Sequence, residues 1–175
     1  MKQKKLFNVI GVMTGTSMDG IDISYVSTDG IKNIRIYNEK SYQYSIKEIQ
    51  NIKKFLLINK YPKDIIRNQD TKITKLIVKY LSKFLKEFKV KKFDYISLSG
   101  QTIFHNPDKK ISIQLGNANF VSKTFKTSVI SNFRENDIKN GGQGAPIGAF
   151  YHKLLLDKIN KKAVLINLGG VANFA

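Results

Sequence analysis

The segment from Asp64 to Lys89 sets the strongest limit on the fold, because its apolar and charged residues separate at helical spacing. Apolar residues form one face, at Ile73, Ile77, Leu81, Phe84, Leu85 and Phe88. Lysines form the other, at Lys72, Lys75, Lys79, Lys83 and Lys86. A helix of this kind needs an apolar surface to cover, and a β-sheet supplies one. The segment therefore predicts a helix packed on a sheet; a helix lying on a membrane surface is the alternative that its basic face allows.

Short apolar segments on both sides of this helix predict the strands of that sheet. Residues 6–13, 21–28 and 31–38, separated by turns at 14–20 and 28–30, are typical of an antiparallel meander. Further strands are predicted at 93–98, 111–115 and 127–131, with a buried strand at 163–168. Further helices are predicted at 45–58, 117–124 and 145–157, the last with Pro146 in its first turn. The predicted fold class is α/β, a mixed sheet with flanking helices.

Composition excludes several kinds of protein and site. The absence of cysteine excludes disulfides, thiolate metal sites and a cysteine nucleophile, and it fits a cytoplasmic protein. No run of 18 apolar residues is present to span a membrane. The net charge of +17 raises the alternative of a polyanion-binding module, but the only arginines among the 30 basic residues are Arg35, Arg67 and Arg134. Because the lysines are scattered along the chain, we expect a solvated basic surface and neither nucleic acid nor membrane as a partner.

A turn rich in small and hydroxylated residues joins the first two predicted strands, in the sequence GVMTGTSMDGID from Gly11 to Asp22. A phosphate chain needs backbone N–H groups and hydroxyls presented without side-chain bulk. The residues that supply them are Thr14, Gly15, Thr16, Ser17 and Gly20. Asp19 and Asp22 could orient a magnesium ion through water. The spacing is neither that of a Walker loop nor that of a dinucleotide fingerprint, and an ordinary hairpin is the alternative.

Three polar or glycine-rich segments, 99–106, 131–144 and 167–173, each follow a predicted strand. Ligands of α/β sheets bind at the carboxyl ends of strands, so we expect these segments to form one shared site. His105 lies in the first of them, and a structural or a functional role is open for it. His152, between Tyr151 and Leu154 on a predicted helix, is expected to be structural.

Four motifs, in order along the chain, resemble those of the anhydro-N-acetylmuramic acid kinases. They are GVMTGTSMDGID at 11–22, GQTIFHNP at 100–107, NFRENDI at 132–138 with GGQGAP at 141–146, and NLGGVAN at 167–173. The resemblance implies the fold of the actin, hexokinase and heat-shock ATPase superfamily, with a ribonuclease H-like first domain. It also implies a reaction with ATP, Mg²⁺ and water that opens 1,6-anhydro-N-acetylmuramic acid and phosphorylates its 6-hydroxyl. The setting would be cytoplasmic peptidoglycan recycling, and the protein a homodimer.

The resemblance also assigns roles to residues. It implies that ATP is bound by Gly15, Thr16, Ser17, Met18, Asp19, Gly20, Ile21 and Asp22. It implies that the sugar is bound by Gln101, Thr102, His105, Arg134 and Gln143. The guanidinium of Arg134 suits the lactyl carboxylate of the sugar or the developing phosphate charge. The family's general base is an aspartate in an Asp-Thr-Gly-Pro-Gly-Asn motif expected beyond Ala175, so no catalytic residue is expected in this chain.

The chain departs from the family's usual pattern at three motif positions. Ser99 stands where the family usually has histidine, and Asn132 and Glu135 stand where it usually has aspartate and arginine. The changes at Asn132 and Glu135 put in question how the loop 132–135 pairs with substrate.

The expected domains are an N-terminal ATPase-like domain at 1–160 and the first strands of a further domain at 161–175, the rest of which is missing. The apolar segment 171–175 favours a truncated chain over a short final edge strand. The alternative to a working kinase is an inactive remnant of a split or decaying gene, or a chain that needs a separately encoded C-terminal half.

Overall fold

The computed structural model describes residues 5–15, 18–56, 63–159, 163–168 and 172–174. The elements run in the order β1 (Phe7–Thr14), β2 (Gly20–Thr28), β3 (Ile34–Gln43), α1 (Ile46–Leu56), α2 (Lys63–Glu87), β4 (Tyr95–Leu98), β5 (Gln101–Asn106), β6 (Ile111–Leu115), α3 (Ala118–Phe125), β7 (Ser128–Ile130), α4 (Glu135–Lys139), α5 (Ala149–Ile159), β8 (Ile166–Leu168) and β9 (Ala172–Phe174). They belong to two compact units, Met1–Ile103 with Ile113–Asn132, and Phe104–Ser112 with Phe133–Ala175. The domain boundary expected at residue 160 stays a prediction.

The first unit is built on a five-stranded sheet in the order β3-β2-β1-β4-β7. β1, β2 and β3 pair antiparallel, as the predicted meander requires. β4 pairs parallel with β1, with Ile96 opposite Ile10, and β7 pairs parallel with β4. Ile10 and Ile96 are both fully buried, as expected where a parallel pair lies in the middle of a sheet. The predicted mixed sheet with flanking helices is confirmed.

The core of this unit joins α2 to the sheet. The predicted apolar face of α2 is buried, with Ile77, Leu81 and Phe84 all 0% exposed. They share one hydrophobic cluster with the inward side chains of the strands. Burial of an apolar side chain of this size stabilises the fold by about 1.5–3 kcal/mol, so this face is the main attachment of the helix. The helix expected from the spacing of its residues is therefore confirmed.

A second attachment ties α1 to α2 through Glu48. Ser45 and Glu48 form a capping box at the start of α1, in which the Glu48 carboxylate accepts from the backbone N–H of Ser45 at 2.7 Å. The same carboxylate accepts from Lys79 Nζ at 2.8 Å and from the Tyr80 hydroxyl at 3.0 Å. Burial alone would raise the pKa of Glu48, but the hydrogen bonds from Lys79, Ser45 and Tyr80 outweigh it and lower the pKa to about 2.

This network predicts a pH-dependent contribution to stability. Because the folded-state pKa of Glu48 lies below its ordinary value of 4.5, the stabilisation is complete above pH 4.5 and is lost as the pH falls toward 2. We expect Glu48→Gln to lower the free energy of unfolding by about 1–2 kcal/mol at pH 7, and the deficit to shrink between pH 4.5 and 2. Urea unfolding across that range measures it, with Glu39→Gln on the exposed side of β3 as the control. A deficit that does not change with pH would contradict the role of the ionised carboxylate.

In its described residues, the second unit contains the tip of the β5–β6 hairpin, the helices α4 and α5, and the hairpin of β8 and β9. β8 pairs antiparallel with β9, with Ile166 opposite Phe174. The 163–168 segment was predicted to be a buried strand, and this was wrong in both burial and length. Val164 and Ile166 are each 65% exposed, because no described element of this unit covers their side chains. A strand was also expected within 171–175, and β9 at Ala172–Phe174 agrees with it.

Two predicted element starts were also wrong, and one helix was missed. β3 begins at Ile34 instead of 31, because the Asp29 carboxylate accepts the N–H groups of residues 31 to 33 and holds them in a turn. α5 begins at Ala149 instead of 145, so Pro146 precedes the helix and is not in its first turn. The short helix α4 was not predicted.

The 99–106 segment was predicted as a polar connection, but most of it is strand β5. Gly100 adopts a φ of +70°, a conformation open to glycine, and this turns the chain from β4 into β5. β5 then pairs with β6. Among the helices that the structure describes, none is both long and apolar enough to cross a membrane.

Candidate functional site

The glycine-rich turn lies between β1 and β2, as predicted. Met18 has a φ of +56° and is 5% exposed, and its N–H donates to the Gly15 carbonyl at 3.2 Å. The Asp19 carbonyl accepts from the N–H of Tyr44 at 2.8 Å, which ties the end of the turn to the residue after β3. The carboxylates of Asp19 and Asp22 are on exposed residues, and Asp22 accepts from the Ser41 hydroxyl. Thr16 and Ser17 lie outside the described residues.

Gly20 is required where the turn enters β2. A Cβ at this position would lie 2.5 Å from the backbone carbonyl oxygen of Tyr42 on β3. Since β2 and β3 are paired here, with Gly20 opposite Gln43, that carbonyl cannot move away without disturbing the sheet. A bare backbone at the mouth of the turn is the feature that a phosphate-binding loop needs.

The segment after β4 packs against this turn. The N–H of Ser99 donates to the Val12 carbonyl at 3.1 Å, and its hydroxyl accepts from the N–H of Thr14 at 3.4 Å. Two residues later, Gln101 Nε2 donates to the Gly15 carbonyl at 3.0 Å. The structure therefore brings the first two motifs together, whereas the shared site expected from segments 99–106, 131–144 and 167–173 stays a prediction. The 169–171 part of the last motif lies outside the described residues.

Several buried polar atoms beside the turn lack a hydrogen-bond partner among the described residues. They include Thr14 Oγ1, Gln101 Oε1 and the Tyr44 hydroxyl, on residues that are at most 5% exposed. Burial raises the pKa of Tyr44, and the nearby Tyr80 and Glu48 add to that effect, followed by Asp22 and Asp19. Most buried polar groups in proteins are satisfied, so this cluster sets the end of the sheet apart from the rest of the core.

In the second unit, the loop 141–144 wraps around the end of α4. Asp137 accepts the N–H of Gly144 on its carboxylate at 2.6 Å and the N–H of Gly142 on its carbonyl at 2.8 Å. A Cβ at Gly142 would lie 2.2 Å from that carboxylate. Sequence reasoning missed Asp137 as the anchor of this loop. No local signal marks this contact, because Asp137 and Gly144 are 7 positions apart and outside the spacing of an ordinary aspartate turn.

Arg134 lies inside this arrangement. Its Nη1 donates to the Gly144 carbonyl, while its Nε is buried and lacks a partner among the described residues. Burial lowers the pKa of Arg134, although an arginine of this kind stays charged near neutral pH. Gln143, at the tip of the loop, is exposed. The guanidinium thus has hydrogen-bonding capacity that an anion could use.

The two histidines differ in their surroundings. His105 is exposed on β5, and its Nδ1 lies 2.9 Å from the Ser112 hydroxyl across the hairpin. A ligand would therefore be met by Nε2. His152 is half-buried on α5 with no described polar partner for its ring, so its structural role stays a prediction. Thr102, near the start of β5, is half-buried.

The departures from the family pattern have local partners. Ser99 contacts Thr14, as described above. Asn132 is exposed with a φ of +59°. Glu135 begins α4 and forms an ion pair with Lys139 at 2.7 Å on the solvent side, where both side chains are more than half exposed.

Comparison with known proteins decides the family. The family model described as anhydro-N-acetylmuramic acid kinase matches residues 7–175. The chain belongs to this family. The predicted family is thereby confirmed, together with the α/β fold class that it implies.

Individual relatives of the anhydro-N-acetylmuramic acid kinase family agree. The enzyme of that name from Pelagibacter ubique is 39% identical over 181 residues, covering 97% of this chain and 47% of its own length. The one from Sulfurimonas denitrificans is 35% identical over 170 residues, covering 94% and 45%. The one from Bradyrhizobium diazoefficiens is 28% identical over 179 residues, covering 96% and 48%. The chain spans about half the length of the curated relatives it matches.

Proposed function

We propose that this chain forms the phosphate-binding and sugar-binding part of an ATP-dependent sugar kinase. The reaction opens 1,6-anhydro-N-acetylmuramic acid and yields N-acetylmuramic acid 6-phosphate, for cytoplasmic peptidoglycan recycling. Water adds its hydroxyl group at C1 as the bond between C1 and O6 breaks, O6 takes the γ-phosphoryl group of ATP, and ADP and a proton are released. The observation that carries the proposal is the turn from Gly15 to Gly20, bare of side-chain bulk at Gly20 and anchored by Gln101, in a chain of this family.

ATP phosphates are proposed to bind along this turn. The residues are Gly15, Thr16, Ser17, Met18, Asp19, Gly20, Ile21 and Asp22. Gly20 fixes where this turn enters the sheet, because a side chain there would clash with the backbone of Tyr42 on β3. Asp19 and Asp22 carry exposed carboxylates that suit Mg²⁺ held through water, since this cation prefers oxygen ligands and keeps part of its hydration. Bound Mg²⁺ would neutralise the charge of the phosphates.

The sugar is proposed to be bound by residues of the later motifs. These are Gln101, Thr102, His105, Arg134 and Gln143. Arg134 is the strongest candidate, because its side chain is only partly buried and its guanidinium suits the lactyl carboxylate of the sugar. The family's general base belongs to an Asp-Thr-Gly-Pro-Gly-Asn motif that is not among these 175 residues, so none of them is proposed as the base.

The direct test is incubation of the full chain with MgATP and the anhydro sugar, followed by ³¹P NMR. Formation of the sugar 6-phosphate would support a kinase that acts as this chain or as its homodimer. Binding of both substrates without product would support a chain that needs a separately encoded C-terminal half. Absence of both binding and product would overturn the proposal and support an inactive remnant.

Arg134 provides a specific prediction. We expect Arg134→Ala to weaken binding of the anhydro sugar by about tenfold or more, because a charge-assisted pair with the lactyl carboxylate is lost. Titration calorimetry with the sugar measures this. Arg35→Ala is the matched control, since Arg35 lies over the Tyr37 ring on β3. Equal affinity of Arg134→Ala and the unchanged chain would contradict the assignment.

A further inference from the structure

The carbonyl of Gly15 is held by two donors. The N–H of Met18 reaches it at 3.2 Å and the side-chain Nε2 of Gln101 reaches it at 3.0 Å. A carbonyl oxygen has two lone pairs, so both are engaged. A turn that binds phosphates must present N–H groups and keep the negative ends of its carbonyls away from the anion. The orientation of the Gly15 carbonyl is therefore a property on which the turn depends.

Gln101 has one further contact beside its own strand, since its Nε2 also lies 3.4 Å from the Thr102 carbonyl. It follows Gly100, where a Cβ would lie 2.9 Å from the Leu115 carbonyl, and it begins strand β5. Its side chain is 0% exposed. An amide fixed in this way can restrain the turn, although the two residues are 86 positions apart in the sequence.

The unused half of the Gln101 amide indicates a role beyond packing. Its Oε1 is buried and has no partner among the described residues. An unsatisfied buried acceptor destabilises a fold, so an apolar side chain of the same size would pack here more favourably. An apolar side chain, however, would lack the N–H donor that Gln101 Nε2 directs at the Gly15 carbonyl.

We propose that Gln101 is a positioning residue, whose buried amide holds the Gly15 carbonyl turned inward and keeps the glycine-rich turn shaped for phosphate. This deepens the proposed function and rests on it. This role is distinct from the sugar contact proposed for Gln101 above, because it acts through the Gly15 carbonyl.

The test compares two buried glutamines. Gln101→Met removes the donor with little change of volume. Gln69→Met is the matched control, because Gln69 is 5% exposed and its Nε2 likewise donates to a backbone carbonyl, that of Asn51 at 3.2 Å. Each variant and the unchanged full chain are titrated with magnesium tripolyphosphate by calorimetry. Amide hydrogen exchange of Met18 and melting temperature are measured without ligand.

The expected result is that Gln101→Met binds tripolyphosphate about tenfold more weakly and exchanges the Met18 amide about tenfold faster. Gln69→Met should match the unchanged chain in both, at a similar melting temperature. Equal affinity and equal exchange in Gln101→Met and Gln69→Met would overturn the positioning role. If the unchanged chain does not bind tripolyphosphate, the proposed function fails, and Met18 exchange alone then decides whether Gln101 positions the turn.

Discussion

Phe84→Ala is expected to lower the free energy of unfolding by about 3–5 kcal/mol, the range found when a buried phenylalanine is removed and leaves a cavity. Phe84 is 0% exposed on the inner face of α2, and its ring lies 4.8 Å from that of Phe88. Because the surrounding cluster is shared between α2 and the sheet, neighbouring side chains cannot close the space without shifting a strand or the helix. A loss of this size approaches the whole stability of many small domains.

Urea unfolding followed by circular dichroism measures this effect. Phe120→Ala is the control, since Phe120 is 49% exposed on α3 and its removal should change the free energy by about 0.5 kcal/mol or less. A loss below about 1 kcal/mol for Phe84→Ala would contradict the packing of α2 on the sheet.

Gly20→Ala is expected to destabilise the fold by about 1–3 kcal/mol or more, and to weaken phosphate binding with it. The added Cβ would meet a backbone oxygen, that of Tyr42 at 2.5 Å, and the β2–β3 pairing prevents that oxygen from moving. The turn must then shift, which alters the groups offered to phosphate. The measurements are urea unfolding and titration with magnesium tripolyphosphate.

Gly11→Ala provides the matched control for this substitution. Its Cβ would meet only the hydroxyl of Ser24, at 2.8 Å, and that side chain can rotate away. We therefore expect Gly11→Ala to lower the free energy of unfolding by less than about 1 kcal/mol and to leave the phosphate affinity unchanged. If Gly20→Ala lowered the free energy of unfolding no more than Gly11→Ala, the close contact between Gly20 and the Tyr42 carbonyl would be contradicted.

The sequence alone predicted the parts of the fold that depend on local pattern. The apolar face of α2 and the alternation in β1 and β2 are periodic, so their burial followed directly. Strand β5 could not be predicted in this way, because the segment GQTIFH has no regular alternation of apolar and polar residues. The pairing of this strand depends on the turn made by Gly100. The exposure of Val164 and Ile166 was also missed, since apolar composition does not say what covers a strand.

The candidate site was predictable in its motifs but not in its contacts. The turn from Gly15 to Asp22 is visible in the sequence because glycine and hydroxylated residues are concentrated there. The bond from Gln101 to Gly15 joins residues far apart along the chain, and no pattern of spacing reveals it. The role of Asp137 could not be predicted either, because it depends on how the loop 141–144 folds back onto its carboxylate.

The most direct test of the central claim is to map MgATP binding on the full chain by backbone amide chemical shifts. If the turn holds the ATP phosphates, the largest shifts will fall on Gly15, Met18, Asp19 and Gly20, and on Ser99 to Gln101 behind them. They will be lost in Gly20→Ala and kept in Gly11→Ala. Shifts confined to the lysine face of α2 would identify a general polyanion surface instead, and would contradict the assignment of this turn as the phosphate site.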